Sequence, residues 1–120
     1  MNNVQVKIAI HQRALTEYIT ELAEERNNEI NNNMTYQAII DTKNNHFQLV
    51  EIGWINSHKF NYCVLMHMDI NTDTGNIWVQ RNRTEILIDE DLAKYDIPKK
   101  HFVLGFRPPY VREDTDFAVA

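Results

Sequence analysis

The chain has 120 residues, seventeen acidic against twelve basic side chains, a formal net charge of -5 and 43% hydrophobic residues. That length fits one domain, residues 1–120, burying roughly two thirds of its unfolded surface, and three glycines, three prolines and no low-complexity tract exclude a linker or disordered tail. The acid excess repels a phosphate backbone and disfavours direct nucleic-acid binding, while the single cysteine, Cys63, forms neither an intrachain disulfide nor a C-x-x-C pair, which favours a reducing, cytoplasmic setting.

The opening MNNVQVKIAIHQ lacks the order of a secretory signal, and nowhere do roughly eighteen apolar residues run together, so neither export nor membrane spanning is expected. From Val4 to about Ile30, the residues Val4, Ile8, Leu15, Tyr18, Ile19, Leu22 and Ile30 recur at helical spacing and predict one long amphipathic helix. Asn2 or Asn3 suits its start, and the asparagines at 27–28 and 31–33 suit its end.

The period then changes to two. Met34–Thr42, His46–Ile55, Phe60–Ile70 and Ile77–Val79 alternate apolar and polar residues and are joined by short polar turns, which predicts a four-stranded antiparallel meander. A short helix is expected from about Glu85 to Tyr95, capped by Thr84, with Ile88, Leu92 and Tyr95 facing inward and Pro98 barring continuation. His101–Phe106 suits a short extended piece, and Arg107-Pro108-Pro109-Tyr110 is expected to be extended. The apolar end, Phe117–Ala120, is expected to pack on the sheet or on another chain. The fold class is therefore α+β: a long N-terminal helix on an antiparallel sheet, then a short helix and an extended tail.

Candidate chemistry is sparse, and no cofactor is expected. His67 and Asp69 lie two apart on a strand and share one sheet face, where they suit either a metal or a hydrogen-bonded pair on the half-wet side. The hydrogen-bonded pair is the preferred reading, because His11, His46, His58 and His101 come from unrelated elements with no recognisable ligand spacing. Asp41-Thr42-Lys43 has an acidic-x-Lys shape found in metal-dependent nucleases, but its companion acid is missing and the segment opens a turn. Cys63 lies in an apolar run and reads as a core thiol; Ser57, the only serine, has no nucleophile elbow around it; the three glycines stand alone and form no phosphate loop. Trp54 and Trp78 are expected in the core. Arg107, Pro108, Pro109, Tyr110 and Arg112, with Phe117, form a preordered, arginine- and tyrosine-bearing segment suited to a protein interface. Arg81, Arg83, Lys99, Lys100, Arg107 and Arg112 are the material for an alternative, a DNA-binding regulator; a metal-dependent hydrolase on His67 and Asp69 or Asp41 is the second alternative.

Tyr36-Gln37-Ala38-Ile39-Ile40-Asp41, Gly53-Trp54, His67-Met68-Asp69-Ile70, Gly75-Asn76-Ile77-Trp78-Val79-Gln80-Arg81, Ile97-Pro98-Lys99-Lys100, Val103-Leu104-Gly105-Phe106 and Thr115–Ala120 together resemble the XisI family, in order and over nearly the whole chain. The resemblance implies a small cytoplasmic protein of cyanobacterial type, a controlling factor for excision of the fdxN element during heterocyst differentiation. It implies that a separate recombinase cuts and rejoins the DNA, and that the protein is a non-enzymatic accessory acting beside a companion, XisH, of nuclease-like fold. Self-association through the tail is a variant of that reading. Asp96 departs from the family pattern, standing where a glycine often follows the short helix, at a left-handed position that Asp accepts less readily.

Overall fold

The computed structural model describes residues 2–29 and 33–120. Helix α1 spans Asn3–Asn27, and the Asn2 side chain caps it by accepting from the Gln5 N–H at 2.8 Å. His11, Ala14, Leu15, Tyr18, Ile19, Leu22 and Ala23 form its buried stripe, alternating steps of three and one, while Val6 and Ile10 on the opposite side face water. The helix ends at the first asparagine pair; Ile30, Asn31 and Asn32 lie outside the described residues. Among the described residues no helix is long and apolar enough to cross a membrane.

Strands β1 (Met34–Asp41), β2 (His46–Asn56), β3 (Lys59–Ile70) and β4 (Ile77–Asn82) form the expected antiparallel meander. Each turn is closed by an asparagine or aspartate side chain binding nearby backbone, the local geometry these residues favour. Asp41 Oδ1 accepts from Asn44 N, Asn56 Oδ1 from His58 N and Lys59 N, and Asn71 Oδ1 from Asp73 N and Thr74 N. The sheet has five strands rather than four: β5 (Phe102–Leu104) pairs in parallel with β4, giving the order β1-β2-β3-β4-β5. It falls in the piece 101–106 expected to be extended, and residues 83–101 supply the long crossover that a parallel neighbour requires.

Within that crossover, helix α2 spans only Ile88–Leu92 and continues as a 3₁₀ turn, Ala93–Tyr95. It starts later than expected and Thr84 does not cap it. Thr84 Oγ1 instead accepts from the Ile86 N–H and donates to Asn82 Oδ1, a local turn that competes with helix and holds 84–86 out of it. Ile88 and Leu92 are buried as their spacing predicts. Asp96 ends the turn at φ 60, ψ 31, the left-handed conformation the family's glycine would favour.

The tail is also corrected. Pro108 is extended, but Pro109 opens a one-turn helix, α3 (Pro109–Arg112), because proline restrains its predecessor while suiting the first helical position itself. The apolar end packs on its own sheet: Phe117 joins the core, Ala118 N donates to Phe102 O at 2.8 Å along β5, and Asn76 Nδ2 donates to Ala120 O at 2.7 Å.

The core lies between α1 and one face of the sheet, where Phe47, Leu49, Met66, Met68 and Ile77 are fully buried with Leu15 and Ile19. Towards their shared turn, β2 and β3 leave that cover. Trp54, expected in the core, is 56% exposed, and it pairs across the strands with exposed Phe60 at 5.1 Å between ring centroids. A helix of this length spans about 37 Å, whereas the molecule is 51 Å long, so an arm of the hairpin projects uncovered.

Two stability predictions follow from this packing. Phe47→Ala should lower the unfolding free energy by about 3–5 kcal/mol in urea titration, from lost burial plus a cavity that flanking strands cannot close. Asp96→Gly should raise it by about 0.5–1 kcal/mol by relieving the left-handed residue, and an unchanged or lower midpoint would contradict the strain assigned there.

Candidate functional site

Because Phe47 and Met68 point towards α1, their strand neighbours His46, Gln48, His67 and Asp69 point to the outer face of the sheet. The register sets His46 opposite Asp69 and Gln48 opposite His67. Both imidazoles converge on one carboxylate oxygen, with His46 Nδ1 and His67 Nε2 each 2.7 Å from Asp69 Oδ1. Since a carboxylate accepts, those two nitrogens carry the protons. Gln48 Nε2 then donates to His67 Nδ1 at 2.9 Å, and Gln80 Nε2 approaches Asp69 Oδ2 at 3.3 Å. The expected contact of His67 with Asp69 is present, joined by His46, a residue the linear spacing does not connect to them. Among the described residues these three are the one group of three or more His, Cys, Asp or Glu donors close enough to hold a metal ion.

Burial pushes the Asp69 carboxyl up, but the hydrogen bonds from His46 and His67 outweigh it and leave the group below the ordinary carboxylate value. The hydrogen bond to Asp69 raises His46.

The tail braces itself on the same outer face. Trp78 stands opposite Asp69 in the β3–β4 register, and the Arg112 guanidinium lies over its ring at 5.0 Å while Arg112 Nη1 donates to Arg107 O at 3.0 Å. A side chain at Gly105 would push on the Gln80 amide and crowd the Trp78 ring, so glycine lets the chain pass close here. Phe117 is half-buried with the Lys99 ammonium 5.2 Å above its ring. Of the six expected interface residues, Arg112 and Phe117 are thus engaged internally, whereas Arg107, Pro108, Pro109 and Tyr110 are exposed, Tyr110 to 74%. Sequence reasoning missed the surface beside them. The tail and the approach to α2 border a largely apolar cavity of about 240 Å³, walled by residues including Val79, Leu87, Phe102, Phe106 and Phe117, with Asn82 and Asp89 also on its wall and Leu87 and Phe106 reaching solvent.

The remaining candidates are dispersed. Asp41 accepts from Asn44 N and Nδ2 within its turn, Ser57 and His58 sit at the hairpin tip, and Cys63 is half-buried with Arg83 Nη1 3.8 Å from its sulfur. Arg81 and Arg83 share a groove with Glu51 rather than forming a purely basic patch. His11 is fully buried in α1; its Nδ1 donates to Gly75 O at 2.7 Å, and His101 Nδ1 lies 3.2 Å from its Nε2.

Burial lowers the His11 pKa to about 4, reinforced by the nearby positive potential of His101 and Lys7 and opposed by the bond to Gly75. The unfolded chain therefore takes up a proton below about pH 6.5 that the folded chain refuses until about 4, so stability falls as pH drops through that window and is unaffected by His11 above it. In urea titrations, the stability advantage of the wild type over His11→Gln should shrink as pH is lowered from 7 towards 4. A constant difference would place the ring outside that burial.

The XisI family model, described as XisI protein, matches residues 5–119. No curated protein matches. Among solved structures, the chain is similar to a XisI-like protein from Anabaena variabilis ATCC 29413, at 31% identity and TM-score 0.81, covering 94% of this chain and 99% of that one. It also shares the fold of the fdxN element excision controlling factor XisI from Anabaena variabilis ATCC 29413, at 24% identity and TM-score 0.76, covering 95% of this chain and 99% of that one. With the match running through α1, all five strands and the tail, the chain belongs to the XisI family.

Proposed function

We propose that this chain is a non-enzymatic accessory factor that controls the excision of a DNA element by holding a protein partner. Membership of the XisI family and the likeness to a solved excision controlling factor support the setting. The observation that carries the binding role is the apolar cavity between the tail and the approach to α2. It is large enough for one or two apolar side chains, and on its rim Leu87 and Phe106 stay exposed, Phe106 with the Arg107 guanidinium 5.1 Å from its ring.

In this reading the tail divides its labour. Arg112 over Trp78 and Phe117 in the core hold the segment in place, while Arg107, Pro108, Pro109 and Tyr110 present a rigid, amphipathic surface beside the cavity. A prefixed segment loses little conformational freedom on binding, which favours affinity without a large area. The partner is an XisH-like companion with an apolar residue to insert and carboxylates to meet Arg107. The net charge of -5 and the mixture of Glu51 with Arg81 and Arg83 favour protein over DNA as the direct ligand. The domain is cytoplasmic in this account.

Removal of the whole tail would strip β5 of Ala118 and the core of Phe117, so point substitutions are the sound test. Phe106→Asp and Tyr110→Ala should each reduce co-purification of the XisH-like companion by about tenfold or more, with melting temperatures close to wild type. Full recovery of the companion by both folded variants removes the proposed interface; recovery of a second copy of this chain in its place would assign the surface to self-association.

A further inference from the structure

The geometry points to a binding site for a zinc-class divalent cation on His46, His67 and Asp69. Two imidazole nitrogens and one carboxylate oxygen, all within 4.8 Å of one another, come from residues on the paired strands β2 and β3, so the backbone register fixes their spacing before any ion arrives. This donor set suits Zn²⁺, Co²⁺ or Ni²⁺ and is a poor match for Mg²⁺ or Ca²⁺, which favour oxygen ligands. Two neutral imidazoles and one carboxylate leave the trio with one negative charge for the cation to neutralise.

In the ion-free arrangement the two nitrogens stand 2.7 Å from the same oxygen. Donors around a tetrahedral zinc are about 3.3 Å apart, given metal–ligand bonds of about 2.0–2.1 Å. Side-chain rotation, mainly in Asp69 and the largely exposed His46, must lengthen each N···O distance by about 0.6 Å and bring the two nitrogens, which lie within 4.8 Å of each other, to a similar separation. Coordination through His46 Nδ1 and His67 Nε2 moves each ring proton to the opposite nitrogen. His46 Nε2–H is then served by solvent. His67 Nδ1–H requires an acceptor, and a half-turn of the Gln48 amide places Oε1 where Nε2 now sits, 2.9 Å from Nδ1. Gln48 is thus a positioning residue for the ion, and Gln80 holds the second carboxylate oxygen. With three protein donors, the fourth position is left to water or to a side chain from a partner docked beside Trp78.

The test uses the full, untagged chain, titrated with Co²⁺ while its visible absorption is followed and with Zn²⁺ by calorimetry. The expected result is one ion per chain, with a dissociation constant of about 10 µM or tighter and intensified visible bands of low-symmetry Co²⁺. His67→Ala and Asp69→Asn should weaken binding by about fiftyfold or more, and Gln48→Leu by about tenfold or more, each at a melting temperature that shows a folded protein. His101→Gln, which disables the separate His11–His101 pair, should leave affinity unchanged. Binding absent below about 1 mM, insensitive to His67 and Asp69, or lost with His101 would overturn the site. Because the ion is measured on the isolated chain, either result stands apart from the companion-binding experiment.

Discussion

The apolar stripe of α1, centred on Leu15 and Ile19, packs with Phe47, Leu49, Met66 and Met68, and among the described residues nothing comparable covers the other side of the sheet. That asymmetry organises the molecule. A single helix closes one face, so alternate residues of β2, β3 and β4 must be polar or find another cover, and the polar ones include His46, Gln48, His67, Asp69 and Gln80. Where the helix no longer reaches, the β2–β3 hairpin projects with Trp54, Phe60 and Tyr62 in solvent.

The tail supplies a second, local cover on that outer face. It crosses at Gly105, lays Arg112 over Trp78, and returns to β5 through Ala118. Gln80 touches both neighbourhoods, lying against Gly105 and reaching Asp69 Oδ2. The histidine–carboxylate trio and the Arg112-bearing part of the tail are therefore neighbours on the outer face, whereas the apolar cavity, walled by Val79, Phe102 and Phe117, opens on the α1 side of the sheet.

Much of this was legible in the residues. The change from helical spacing before residue 30 to alternation after Met34 marks α1 and the meander, and the polar turns mark their joints. The partnership of His46 with His67 and Asp69 was not legible: stepping outward from the turn partners Asn56 and Lys59 brings His46 opposite Asp69 only because two register shifts along the hairpin cancel, which spacing alone does not show. What spacing did not reveal depended on distant contacts. β5 is only three residues long and exists as a strand because the crossover delivers it to β4. Trp54 has strand periodicity like its buried neighbours, but its exposure depends on where α1 stops, which no local pattern records. The late start of α2 reflects Asn82 and Thr84 satisfying each other's polar groups, a local competition that a helical pattern in Ile88, Leu92 and Tyr95 conceals.

The functional account rests on the face beside the tail, not α1, being the one a companion covers. Hydrogen–deuterium exchange on the chain alone and in complex with an XisH-like protein tests this directly. The account predicts slowed exchange on binding at residues 85–88 and 102–112, with the amides of α1 unchanged. Protection appearing along α1 or β1, with residues 102–112 exchanging as in the free chain, would contradict it.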